Sequence, residues 1–140
     1  MEWLSFADVP WLGVVLAFIA TFIIGSVWYS PPVFFRHWQR AVGFTDDDMK
    51  DANMPLAFGQ MVVGNLAGVI MLAVLLVALG VDSWWAAALT GAVLGFAFRW
   101  GAHLIHDGFA MRGQAATWID GVHDTVALAV AGAIIGLFLG

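Results

Sequence analysis

Along this chain, long apolar runs alternate with short polar breaks, and each run could cross a bilayer as a helix, which takes about 20 residues. The first begins near Trp11 and stops at Ser30-Pro31, because the residue before a proline is pushed out of the helical region. The second covers about 56–79, with Pro55 suited to its first turn and Gly80 to its end. Asp82 and Ser83 then offer a tight turn and a cap, the third run covers about 84–106, and the fourth about 116–138. The break between runs two and three is short enough to predict an antiparallel hairpin. The expected fold is all-α, an integral membrane four-helix bundle forming one four-span domain over 1–140, with spans at about 11–30, 56–79, 84–106 and 116–138.

The one long polar segment runs from Pro32 to Met54. Its aromatic and basic start, VFFRHWQR, predicts an interfacial helix, followed by a turn at Gly43 and a second short helix opened by a Thr45–Asp48 capping box. A soluble partner-binding loop is the alternative reading of this segment.

Composition places the chain in lipid. It is 62% hydrophobic and 11% charged, against about 45–50% and about 25% for a soluble domain. A formal net charge of −5 and the lack of a basic tract exclude nucleic acid as a partner. The absence of cysteine excludes disulfides, thiol catalysis and thiolate metal sites. No Lys or Arg precedes the first apolar run, so a retained span is expected there rather than a cleaved signal peptide.

Outside the spans the basic residues are Arg36, Arg40 and Lys50 in loop one and Arg112 in loop three. The positive-inside rule then puts loops one and three in the cytoplasm and both termini outside, in an inner-membrane type of arrangement. Trp3, Trp11, Trp84 and Trp85 would mark the outer interface, and Trp28, Trp38 and Trp118 the inner one. Small residues four apart recur as Gly64/Gly68, Gly91/Gly95 and Gly132/Gly136, one pair in each of spans two, three and four. Such pairs let helix backbones approach closely and predict tight packing, within the bundle or against a second copy. The expected partners are therefore the lipid bilayer and a second copy or a larger membrane complex.

GSVWYSPPVFFRHW followed by AVGFTDDDMKDANM resembles the family of small membrane proteins called domain of unknown function 1761. The carrying positions are Gly25, Trp28, Tyr29, Ser30 and Pro31, then Trp38, Gly43, Thr45, Asp47, Asp48 and Met49. Near the C-terminus, Ile119, Gly132, Ile134 and Gly136 fit the family's closing pattern. Asp120 stands where the pattern has Asn, His123 where it has Tyr, and Ala110 where a Glu precedes the loop arginine, here Arg112. The resemblance implies a four-span membrane protein and assigns no catalytic residue. Taken alone, Trp28 to Pro31 read as an interfacial anchor and a helix stop.

The candidate chemistry lies in two echoing stretches, HLIHD and DGVHD. Helical spacing puts Arg99, His103 and His106 on one stripe of span three with Asp107 beside it, and Asp120, His123 and Asp124 on a stripe of span four. Counting outward from the loop predicts Arg99 opposite Asp124 and His103 opposite Asp120. Charges in hydrocarbon cost several kcal/mol unless paired, so a structural role in a packing or accessory subunit, or homo-oligomer, is the first expectation. A transporter, channel or proton relay built on His103, Asp120 and Asp124 is the second. A metal or haem site drawn from His103, His106, Asp120, His123 and Asp124 is the third, although no recognised metal motif is present and Arg99 opposes it. No cofactor is expected, and enzyme activity is left open, the metal- or haem-binding reading being the one that would allow it. Asn65 is read as an interhelical hydrogen-bond donor.

Overall fold

The structure, a computed structural model, describes residues 5–140, so the interfacial Trp3 lies outside the described residues. It is an all-α four-helix bundle. The helices are α1 (Trp11–Trp28), α2 (Arg36–Val42), α3 (Asp46–Asp51), α4 (Met54–Ala78), α5 (Trp84–His106) and α6 (Gln114–Gly136). Of these, α1, α4, α5 and α6 are long and apolar enough to cross a membrane, the composition of a multi-pass membrane protein.

The chain between α1 and α4 is helical, as its pattern predicts. Pro31 opens one wide π-type turn, Pro31–Phe35, closed by the Phe35 N–H donating to the Ser30 carbonyl at 3.2 Å. That turn runs into α2, which ends at Gly43 in the left-handed region (φ 89°). Thr45 caps α3 reciprocally: its hydroxyl accepts from the Asp48 N–H at 3.2 Å, and Asp48 accepts from the Thr45 N–H at 2.7 Å. The bond from the Thr45 hydroxyl, joined by that from its backbone, holds the Asp48 carboxyl below the ordinary carboxylate range. Asn53 caps α4 by accepting from the Leu56 N–H at 3.1 Å, and Pro55 takes the first turn. Ser83 sits at the start of α5 in an extended conformation, but its side chain makes no capping bond.

The closest packing is the α5–α6 hairpin, and glycine makes it so. A side chain on Gly91 would strike the Leu128 carbonyl, and one on Gly95 the backbone of Asp124 and Thr125. From the other helix, Gly132 lies on the Ala87 carbonyl and Gly136 on the backbone of Trp84. These two small-residue pairs interlock, which brings the backbones together where hydrophobic burial gives no driving force. The pair in α4 behaves differently. Gly64 faces open space, and the place of a side chain on Gly68 is taken by the Arg99 guanidinium. Gly64 therefore packs no helix, because the first half of α4 stands away from the bundle.

That departure divides the molecule into two halves. Only the second half of α4 is buried, through Val69, Leu72, Ala73, Val74 and Leu76. These residues join Val14, Ala17, Ala87, Leu128, Ala131 and Ile135 in a dry apolar core at the end that carries the α4–α5 turn. At the opposite end, from Met54 to Gly64, α4 is exposed. The last polar tie before the gap is the Asn65 amide donating to the Thr21 hydroxyl at 2.6 Å. It is the interhelical bond expected of Asn65.

A second π-type segment, Gly95–Trp100, interrupts α5. The wider turn changes the angular spacing of side chains, and such segments concentrate at functional sites. Here it directs Arg99 onto Gly68 of α4 and the Trp100 ring onto Gly121 of α6. At the end of the hairpin, the Gly113 N–H donates to the Ala41 carbonyl at 3.1 Å, which docks α2 against the start of α6.

Candidate functional site

Between the open half of α4 and the helices α1, α5 and α6 lies a cavity of about 740 Å³. Phe22, Phe35, Phe58, Met54 and Met61 give it apolar walls. The ionisable groups come from one side, where Arg99 and His103 of α5 and Asp120, His123 and Asp124 of α6 all face it, while Asn65 of α4 adds an amide. Tyr29 and Trp38 complete that side from the end of α1 and from α2.

These polar groups form two sets with different degrees of satisfaction. In the first, Arg112 folds back from loop three and joins two carboxylates, Asp120 at 2.7 Å and Asp107 at 3.4 Å. Asp120 also accepts from the Tyr29 hydroxyl at 2.6 Å and the Trp38 indole N–H at 3.3 Å. Asp107 accepts from the Thr117 hydroxyl at 2.8 Å. Both carboxylates are buried, each with 7% of its surface exposed, so this donor density is what makes ionised forms tolerable there. For Asp107, burial acts to raise the carboxyl, but Thr117, Arg112 and His103 outweigh it and hold it below the ordinary range.

The second set is looser and faces the cavity. Arg99 lies 3.8 Å from Asp124. His103 stands between two carboxylates, with Nδ1 3.4 Å from Asp107 and Nε2 3.6 Å from Asp124. Asp124 is also 3.2 Å from Nδ1 of His123. The Nε2 of His123 is buried against Gly25 without a protein partner. Asp107, His103, Asp124 and His123 thus form an alternating carboxylate–imidazole chain from loop three into the cavity wall.

Arg99 and Asp124 meet as the counting predicts, but His103 and Asp120 do not. Asp120 takes Arg112 instead, because loop three coils back and carries the guanidinium inward, its Arg112 N–H donating to the Asp107 carbonyl at 2.9 Å. His106 is exposed and takes no part. Successive helical residues point about 100° apart, so Asp107 turned inward leaves His106 turned out. Among the described residues, no group of three His, Asp or Glu side chains converges as a metal site would require. Sequence reasoning missed Tyr29, Trp38, Thr117 and Arg112 as partners of the two buried aspartates.

The model of a family described as Protein of unknown function (DUF1761) matches residues 12–136. The chain belongs to this family. In this DUF1761 protein the motif positions at the end of α1 converge on the same site. Gly25 makes room for His123, and the Trp28 indole donates to the Ile119 carbonyl at 3.2 Å. Tyr29 holds Asp120, while Ser30 turns back to donate to the Val27 carbonyl at 2.6 Å and Pro31 opens the π turn. Trp28 and Tyr29 therefore do more than anchor an interface: they tie α1 to α6. Neither a curated protein nor a solved structure matches the chain.

Proposed function

We propose that this DUF1761 protein is a small membrane-embedded binding and transport protein, whose ligand is a small amphipathic molecule held in the cavity between α4 and the rest of the bundle. One observation carries the reading: Arg99, His103, His123 and Asp124 face a cavity of about 740 Å³ rather than a dry helix contact. That volume falls in the range of about 300–1,000 Å³ typical of ligand pockets, which combine apolar walls with a few convergent polar groups. Ionisable residues inside a membrane protein line cavities and pathways for the same reason. The compact Arg112–Asp107–Asp120 set supplies the structural, charge-compensating role. With loops one and three cytoplasmic and both termini outside, the cavity opens toward the cytoplasm, since Arg36, Arg40, Lys50 and Arg112 all lie at that end.

Gly64→Trp tests the reading. Gly64 lines the cavity and a Cβ there meets nothing within 4 Å, so a tryptophan is expected to occupy the cavity without striking a neighbouring helix. Wild-type protein purified in mild detergent should retain a small molecule at about one per chain by native mass spectrometry, following simple one-site binding. The variant should lose it while keeping its helical content and elution volume. Wild-type protein carrying nothing, or a variant retaining the same molecule, overturns the proposal.

A further inference from the structure

The charges on and behind the polar wall do not balance. Asp107, Asp120 and Asp124 contribute three negative charges, Arg99 and Arg112 two positive ones, leaving −1 with neutral imidazoles. An unmatched charge in surroundings of low dielectric is costly, so something positive completes the cluster. Two candidates can supply it. A proton on His103 would be shared between Asp107 and Asp124, on which its two ring nitrogens face. A cation in the cavity, beside Asp124, would do the same from the open side.

An anion fits poorly. Arg112 is occupied by two carboxylates, and Arg99 is aligned with Asp124 while its guanidinium fills the space over Gly68. Binding an anion would take the cluster to −2. The remaining walls suit a cation that is itself greasy. Phe22, Tyr29, Phe35, Trp38 and Phe58 line the cavity, and aromatic faces attract cations by about 0.5–2 kcal/mol. Met54 and Met61 add polarisable, adaptable surface.

We propose that the cavity takes a hydrophobic organic cation, an amine or onium ion, and that this cation exchanges with one proton carried by His103. The proposal rests on the cavity being the ligand site and names the ligand class. Around His103, its own helix presents Arg99 and Asp107, α6 presents Asp124 with His123 behind it, and loop three presents Arg112. Helix α1 offers the Tyr29 hydroxyl and α4 only the Asn65 amide. Entry of the cation beside Asp124 makes the proton on His103 superfluous, and the proton returns to solution through the open side of the cavity, which His103 lines.

The test uses two ions of one shape and opposite charge, tetraphenylphosphonium and tetraphenylborate, in equilibrium dialysis against purified protein in dodecyl maltoside. Gly64→Trp measures partition into the detergent. The phosphonium ion should be retained above that blank at about pH 8.5 and the borate ion should not. Lowering the pH should weaken retention by up to about tenfold per unit, the limit for one competing proton. Asp124→Asn should abolish retention. His103→Gln should bind the cation at high pH and lose most of the pH dependence. Retention of the borate ion, or an unchanged pH profile in His103→Gln, overturns the proposal. If neither ion is retained while a native molecule co-purifies with wild-type protein, the ligand class is wrong and the cavity reading stands. Blank results in both experiments remove the cavity reading as well.

Discussion

Asp120 and Asp124 are one helical turn apart yet live under different conditions. Asp120 has donors from Arg112, Tyr29 and Trp38, whereas Asp124 has only the more distant Arg99 and two imidazoles. Arg112→Ala leaves Asp107 and Asp120 buried without their cation, so thermal unfolding in detergent should show a loss of about 3–5 kcal/mol. Asp120→Asn should cost clearly less, because the amide oxygen can take the position that accepts from Trp38 and Arg112 while its NH2 donates to the Tyr29 hydroxyl, which can accept. Asp107 adds a pH dependence of defined sign. Its carboxyl sits below the ordinary value of 3.8, so its contribution is complete above that value and disappears as pH falls through the depressed one. Acid unfolding curves should therefore separate wild-type protein from Asp107→Asn near neutral pH and converge at the acid end. At this scale the sequence was half legible. Arg99 and Asp124 follow from helical counting, but counting does not bring Arg112 to the two aspartates, because a loop side chain folding back has no period to reveal it.

At the level of helices, the glycine pairs separate by neighbour rather than by spacing. Gly132 sits on the Ala87 carbonyl, and Gly64, in the same type of pair, touches nothing. Gly132→Leu should push α5 from α6 and cost about 1–3 kcal/mol or more, the range typical of overpacking, because the obstacle is backbone rather than a flexible side chain. Gly64→Leu should leave the melting temperature nearly unchanged or slightly raised, since leucine is the better helix former. Parallel melts of the two variants check the contrast. The helices themselves, the Gly43 turn and the Thr45 cap are all readable, because local propensity and run length decide them, whereas the short turn after α4 does not make α4 and α5 a closely packed pair. The departure of α4 was not. Its run is apolar throughout, and lipid and protein neighbours ask for the same residues, so hydrophobicity cannot say which half is packed.

For the whole molecule, orientation is the property that sequence pattern proposes and bundle geometry alone does not determine. The chain has no cysteine, so single introduced cysteines report one position each. With loops one and three cytoplasmic, Lys50→Cys in intact cells should resist a membrane-impermeant maleimide, while Asp82→Cys should be labelled. The reverse pattern would invert the topology. A labelled Lys50→Cys would also place the cavity mouth on the outer face.

The split between a dry half and an open half also shapes the electric field. Water entering a cavity of this size carries the potential of its own side toward the bilayer centre. If the cavity is the wet, one-sided site proposed above, the membrane voltage would fall mainly across the apolar plug formed by Val69 to Leu76 and its neighbours. An elementary charge crossing that plug experiences most of the voltage, about 2.3 kcal/mol per 100 mV across a full membrane. A charge moving only between solution and Asp124 experiences little. Loading of the site would be nearly voltage-independent, and the voltage sensitivity of any flux would reside in movement past Asn65.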